Sequence, residues 1–163
     1  MDVLPIVSKN STHLRRYCTV ECQDGSVSAV TVHGMIDLPW EELCYCTSAL
    51  TGGDFQEYIL DAMKSCNGKI CLHLEPLQHK FTLPCYDGNG IHMAENAVQH
   101  FRNKQEEQFS PDLLCNYLYL PHEPAVILFD TAETLQKKVN IAHAACVPLL
   151  IADEWILEKI KTP

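Results

Sequence analysis

The chain has 163 residues, 47% of them hydrophobic and 20% charged, proportions that sustain a packed core and exclude wholesale disorder. Its formal charge is −9, and no basic cluster exceeds the pairs Arg15-Arg16 and Lys137-Lys138. That disfavours direct binding to nucleic acid, whose phosphates need neutralising cations. No apolar run approaches the roughly eighteen residues of a membrane span, and residues 1–10 lack the basic segment and long apolar core of a secretion signal. The expectation is a soluble intracellular protein without a membrane partner. Nine cysteines, an odd number without a secretory signal, imply a reducing compartment, free thiols and small core residues.

Residues 16–23 and 26–33 alternate and carry the β-branched Thr19, Val20, Val30, Thr31 and Val32, which predicts two strands joined as a hairpin at Asp24-Gly25. From Leu38 the spacing of Leu43, Cys46 and Leu50, behind Pro39, Glu41 and Glu42, predicts a helix that Gly52-Gly53 terminates. Asp54 is placed to cap a second helix with Phe55, Tyr58, Ile59, Ala62 and Met63 as its apolar stripe, ending near Asn67-Gly68. Residues 69–75 and 80–86 read as strands, the second followed by the loop signal Asp87-Gly88-Asn89-Gly90. Residues 93–109 read as a helix with Ala94, Ala97, Val98 and Phe101 inward, and Ser110-Pro111-Asp112 as the start of a helical turn through Cys115. Residues 117–120 and 125–129 read as short strands. Thr131 is an N-cap for a helix with Ala132, Leu135, Val139, Ala142 and Cys146 on one face. Residues 147–152 form a last strand, and Asp153 caps a last helix carrying Trp155, Ile156 and Ile160.

From Lys80 onward the order is strand, helix, strand, strand, helix, strand, helix. Residues 125–160, AVILFDTAETLQKKVNIAHAACVPLLIADEWILEKI, resemble the closing half of a BRCT repeat, with Trp155 standing where that family keeps its signature tryptophan. Residues 29–53 resemble the opening, with the pair Gly52, Gly53 closing its first turn. The resemblance implies an α/β fold, a BRCT-like parallel four-stranded sheet flanked by helices, with two compressed repeats packed together. The units would be residues 1–76 and 77–163. One repeat with a long insertion is the alternative, since residues 54–66 look helical where the family has a strand. A large indole on a short final helix is expected to lock that helix against the preceding one.

By the same resemblance the chain is a non-catalytic scaffold that binds a protein partner, phosphorylated or unmodified, in a nuclear DNA-damage, replication or chromatin protein, with the cytoplasm as the other location. A phosphate pocket of this type needs a hydroxyl, a glycine N–H and an ammonium group aimed at one phosphate. Lys137 and Lys138 fall near the expected helical position. Thr82 and Gly88 are the hydroxyl and glycine on offer, though spaced widely, and upstream His33 precedes Gly34. Two adjacent lysines on a helix are more often a solvated face. The pairs Cys18/Cys22, Cys44/Cys46 and Cys66/Cys71, with His13, His33 or His73 nearby, lack the spacing of common zinc sites, so no metal or cofactor is implied. No G-x-S-x-G elbow, phosphate-cradling loop or H-E-x-x-H motif is present. The competing readings are a non-BRCT α/β interaction or regulatory domain, including a viral or host adaptor, and a cysteine-dependent enzyme.

Overall fold

The structure, a computed structural model, describes residues 2–6, 18–23, 26–31, 43–86, 88 and 90–160. In chain order these form β1 (Asp2–Ile6), β2 (Cys18–Gln23), β3 (Ser26–Thr31), β4 (Leu43–Thr47), α1 (Phe55–Ser65), β5 (Ile70–Leu74), β6 (Gln78–Thr82) and β7 (Ile91–His92). There follow α2 (Glu95–Arg102), β8 (Gln108–Ser110), β9 (Cys115–Leu120), β10 (Ala125–Phe129), α3 (Ala132–Ala144), β11 (Leu149–Asp153) and α4 (Glu154–Leu157). The fold is mixed α/β, with two sheets.

The larger sheet has the order β1-β11-β5-β4-β3-β2. The first four run parallel, while β3 is antiparallel to both β4 and β2. Of the expected strand pair at residues 16–23 and 26–33, the described parts, Cys18–Gln23 and Ser26–Thr31, pair antiparallel with Gln23 opposite Ser26. The two edge strands β1 and β2 also approach one another, so the sheet curls. One face packs α1, α3 and α4, burying Cys46, Ile70, Leu72, Leu74, Leu150 and Ala152 with Phe55, Ile59, Leu135 and Val139. Cys71, Leu149 and Ile151, of opposite parity, are also buried. Burial on both faces explains why β5 and β11 read as nearly unbroken apolar runs and not as alternating ones.

The smaller sheet is antiparallel throughout, in the order β7-β6-β10-β9-β8. Helix α2 covers one face, setting Val98 and Phe101 against Leu118, Leu120, Ala125, Ile127 and Phe129.

The helix starts follow local chemistry. The Asp54 carboxylate accepts the Glu57 N–H at 2.8 Å, and Thr131 and Thr134 form a reciprocal capping box at α3. At the other end of α1, Asn67 and Gly68 adopt φ of 51° and 78°, and the Gly68 N–H bonds back to the Met63 carbonyl at 2.7 Å, a left-handed termination that Gly68 makes inexpensive.

Several sequence expectations are corrected. Residues 43–47 form β4 where a helix was expected, because Leu43, Cys46 and Leu50 match helical spacing by coincidence while the segment pairs in parallel with β5. The part of that expected helix before Leu43 lies outside the described residues, as do Asp24, Gly25 and Asp87. The helix expected over 93–109 is confined to Glu95–Arg102, and residues 108–110 turn back as β8. No helical turn leads to Cys115, which begins β9. The last two strands do not share the one parallel sheet that the BRCT resemblance implies: β10 pairs antiparallel with β6 and β9, whereas β11 joins the other sheet. The larger sheet consequently draws strands from both sides of a boundary at 76/77.

Candidate functional site

In α/β sheets, ligand crevices open beyond the carboxyl ends of the parallel strands. Here that end of the larger sheet meets the start of β6, and a cleft of about 340 Å³ opens between them. Gln78 of β6, Glu95 and Arg102 of α2, Asp130 before α3, and Trp155 and Lys159 after β11 all line it. Its size falls in the range of small-ligand and side-chain pockets.

A buried polar network underlies the cleft. The Lys138 ammonium donates to Asp130 Oδ2 at 2.8 Å and to the Ser48 carbonyl at 3.0 Å, and it stands 5.8 Å from the centre of the Phe55 ring. Asp130 Oδ2 also accepts the Leu77 N–H at 2.8 Å, and Oδ1 accepts the Thr134 hydroxyl at 2.8 Å. The Ser48 hydroxyl donates to the Glu75 carbonyl and accepts the Glu75 N–H, both at 2.9 Å. Both charges are thus paired and hydrogen-bonded, the condition under which a desolvated ion pair persists. The network ties the ends of β4 and β5 to the ends of β6 and β10 and to the first turn of α3.

The rim is more open. Trp155 is 42% exposed; its indole N–H donates to Asp153 Oδ2 at 3.3 Å, and Lys159 Nζ lies 4.8 Å from the ring centre. Arg102 stacks 5.2 Å from the centre of the Phe129 ring and is held by Glu107 at 2.7 Å and Gln99 at 3.2 Å. Nearby on β5, burial pushes the His73 pKa down, against the charges of Glu75 and Asp153, which favour protonation. Glu75 also accepts the Thr47 hydroxyl at 3.1 Å. Burial pushes the Cys46 thiol up, opposed by a hydrogen bond with Tyr58, and pushes Cys115 up to about 12, with Asp130 adding to the shift.

The structure does not assemble the four residues expected to hold phosphate. Lys138 is fully buried and engaged by Asp130, so it is no surface ligand. Lys137 pairs with Glu133 at 2.9 Å and lies 4.1 Å from the centre of the Phe109 ring. Thr82 is opposite Ala125, at the far end of β10 from the start of α3, and Gly88 lies in the loop beyond it with φ of 68°. Trp155 does not lock the last helix, since Ile156 and Ile160 fill that role and the indole faces the cleft. Gly52 and Gly53 end no helix; they link β4 to the Asp54 cap, with Gly53 at φ 84°. The free-thiol expectation is also corrected, because Cys44 and Cys66 form a disulfide between β4 and the end of α1.

Sequence reasoning missed Ser48, Gln78, Glu95, Arg102, Asp130 and Lys159; Glu95 and Arg102 stand two turns apart on α2, and the others come from separate segments far apart in the chain. The one legible signal was Asp130, a carboxylate directly after the apolar run AVILF. Among the described residues, no three His, Cys, Asp or Glu side chains are grouped to hold a metal ion.

The chain matches no family profile and no curated protein sequence. Among solved structures it is similar to the spore cortex-lytic enzyme SleL of Bacillus megaterium QM B1551, with a TM-score of 0.49 and 12% identity. The match covers 75% of this chain and 34% of that one, so the chain spans about a third of that enzyme's length.

Proposed function

We propose that the chain is a non-catalytic protein-binding module of the α/β type, distinct from a BRCT repeat, that takes a segment of a partner protein at the cleft beside Trp155. The observation that carries this reading is the half-open indole at the rim of a 340 Å³ cleft bordered by Gln78, Glu95 and Arg102. An amphipathic anchor beside fixed polar groups is a recurrent arrangement in protein recognition. The formal charge of −9 favours a partner segment that is basic as well as apolar. This reading needs no phosphate on the partner: Lys138, beneath the cleft, is neutralised by Asp130, and Arg102 in its lining is paired with Glu107.

A non-catalytic role is supported by the state of the candidate groups. Both Asp130 oxygens accept hydrogen bonds, and the buried thiols Cys46 and Cys115 are held protonated, the unreactive form. The Cys44–Cys66 disulfide supports a thiol-oxidising compartment in place of the nucleus or cytoplasm.

The test is a fluorescence-anisotropy titration against three labelled peptide pools of equal length: Lys/Leu-rich, Glu/Leu-rich, and phosphoserine-containing. Preference for the Lys/Leu pool, weakened at least tenfold by Trp155→Ala, is the expected result. Binding indifferent to Trp155→Ala, or selective for phosphoserine, overturns the proposal.

A further inference from the structure

Among the described residues, His79 Nδ1 is the buried side-chain nitrogen or oxygen left without a hydrogen-bond partner. Such an atom calls for an explanation, because leaving a buried polar group unsatisfied costs about 1–3 kcal/mol. Directly across the sheet from His79 stands His92. The Met93 N–H donates to the Gln78 carbonyl at 2.8 Å, and a bond in that position flanks the pair from outside. His79 and His92 are therefore a non-hydrogen-bonded pair, the register that brings opposing side chains closest. Their ring centres lie 5.4 Å apart with the planes at 83°.

We propose that His79 and His92 together form a coordination site for an imidazole-preferring divalent ion of the Cu²⁺, Ni²⁺ or Zn²⁺ class. Metal–nitrogen bonds of about 2.0–2.1 Å place two imidazoles sharing one ion with their centres roughly 5 Å apart at a tetrahedral angle. The observed separation already meets that requirement. His92 is exposed on a two-residue edge strand, so its ring turns towards the ion without disturbing the core. The electrostatics agree. Burial and the neighbouring His92 push the His79 pKa down, while the Glu75 charge acts in the opposite sense and also favours a cation. Neutral imidazole is the ligating form. The adjacent cation, Lys80, is drawn to Glu123 at 2.7 Å. Two protein ligands leave the remaining positions to water, so the site binds without organising the fold.

The experiment uses the full chain without an affinity tag. Cu²⁺ and Ni²⁺ are titrated calorimetrically into the wild type and the variants His79→Gln and His92→Gln, with circular dichroism confirming that each variant folds. The expected result is one 1:1 event of highest affinity, weakened tenfold or more by either substitution and no further by both. In nuclear magnetic resonance spectra, sub-stoichiometric Cu²⁺ should broaden the ring signals of His79 and His92 before those of His100, His122 and His143. Unchanged affinity in either variant, or first broadening at another histidine, overturns the proposal and leaves the His79 nitrogen to a bound water.

Discussion

Lys138 and Asp130 meet at 2.8 Å with both side chains wholly buried, and their pairing joins the two sheets. Asp130 directly follows the β10 strand of the antiparallel sheet, and Lys138 lies two turns into the helix that crosses to the parallel one. The ammonium reaches on to the Ser48 carbonyl just past β4. One ion pair thus links the two sheets beside the cleft.

Lys138→Met should therefore destabilise the chain by about 3–5 kcal/mol, because it leaves the Asp130 carboxylate buried without its counter-charge. The neighbouring Lys137→Met should cost about 1 kcal/mol or less, since its bridge to Glu133 is largely solvated. Urea melts of the two variants check the contrast. Equal effects would show that the buried pair is dispensable.

The last helix offers a second contrast. Ile156 is buried in the main core, so Ile156→Ala should cost about 2–5 kcal/mol. Trp155→Ala removes a half-open side chain whose hydrogen bond to Asp153 lies near solvent, and it should cost no more than about 1 kcal/mol. Thermal melts measure both, and a larger loss for Trp155→Ala would return the indole to a core role.

Local chemistry was readable from the sequence, whereas strand partnership was not. The Asp54 and Thr131 caps, the β2–β3 hairpin and the strands at 70–74, 125–129 and 149–153 follow from residue type and spacing, which act over a few positions. Which sheet a strand joins depends on contacts far along the chain. Residues 125–153 read as strand, helix, strand, an order that normally closes in one sheet. Here Val126 and Leu128 instead find antiparallel partners in Phe81, Tyr119, His79 and Tyr117. The β4 segment failed for another reason: LCYCT is too short and too uniformly apolar to show a clear alternation, and with Leu50 it fits a helical template equally well. The cleft was invisible because its residues share no motif, and Lys138 was misread because its charge was weighed above its spacing, which sets it on the apolar face with Leu135, Val139 and Ala142.

The Cys44–Cys66 bridge closes a loop of separation 22, for which chain-entropy arguments give about 3 kcal/mol of stabilisation. Reductant should lower the urea midpoint of the wild type and leave that of the double variant Cys44→Ser/Cys66→Ser unchanged. Rapid alkylation of protein taken directly from cells, read by mass, should find this pair resistant to labelling. A fully alkylated chain would place it in a reducing compartment.

The final prediction concerns pH. Burial pushes the pKa values of His73 and His79 below the ordinary imidazole value of about 6.5, so on acidification the unfolded chain takes up these protons before the folded one does. The unfolded state then binds more protons, and stability must fall as pH falls. The contribution is fully present above about pH 6.5 and is lost progressively below it, through the depressed folded values. At His73 the charges of Glu75 and Asp153 partly offset burial, whereas at His79 the neighbouring His92 reinforces it. Urea midpoints measured from about pH 7.5 down to about pH 5.5, above most carboxylate titration, should therefore decline in the wild type. The decline should be shallower in His79→Gln and in His73→Gln, and shallowest in the double variant. A wild-type midpoint that rises over this interval would mean that the carboxylates, not burial, control these imidazoles.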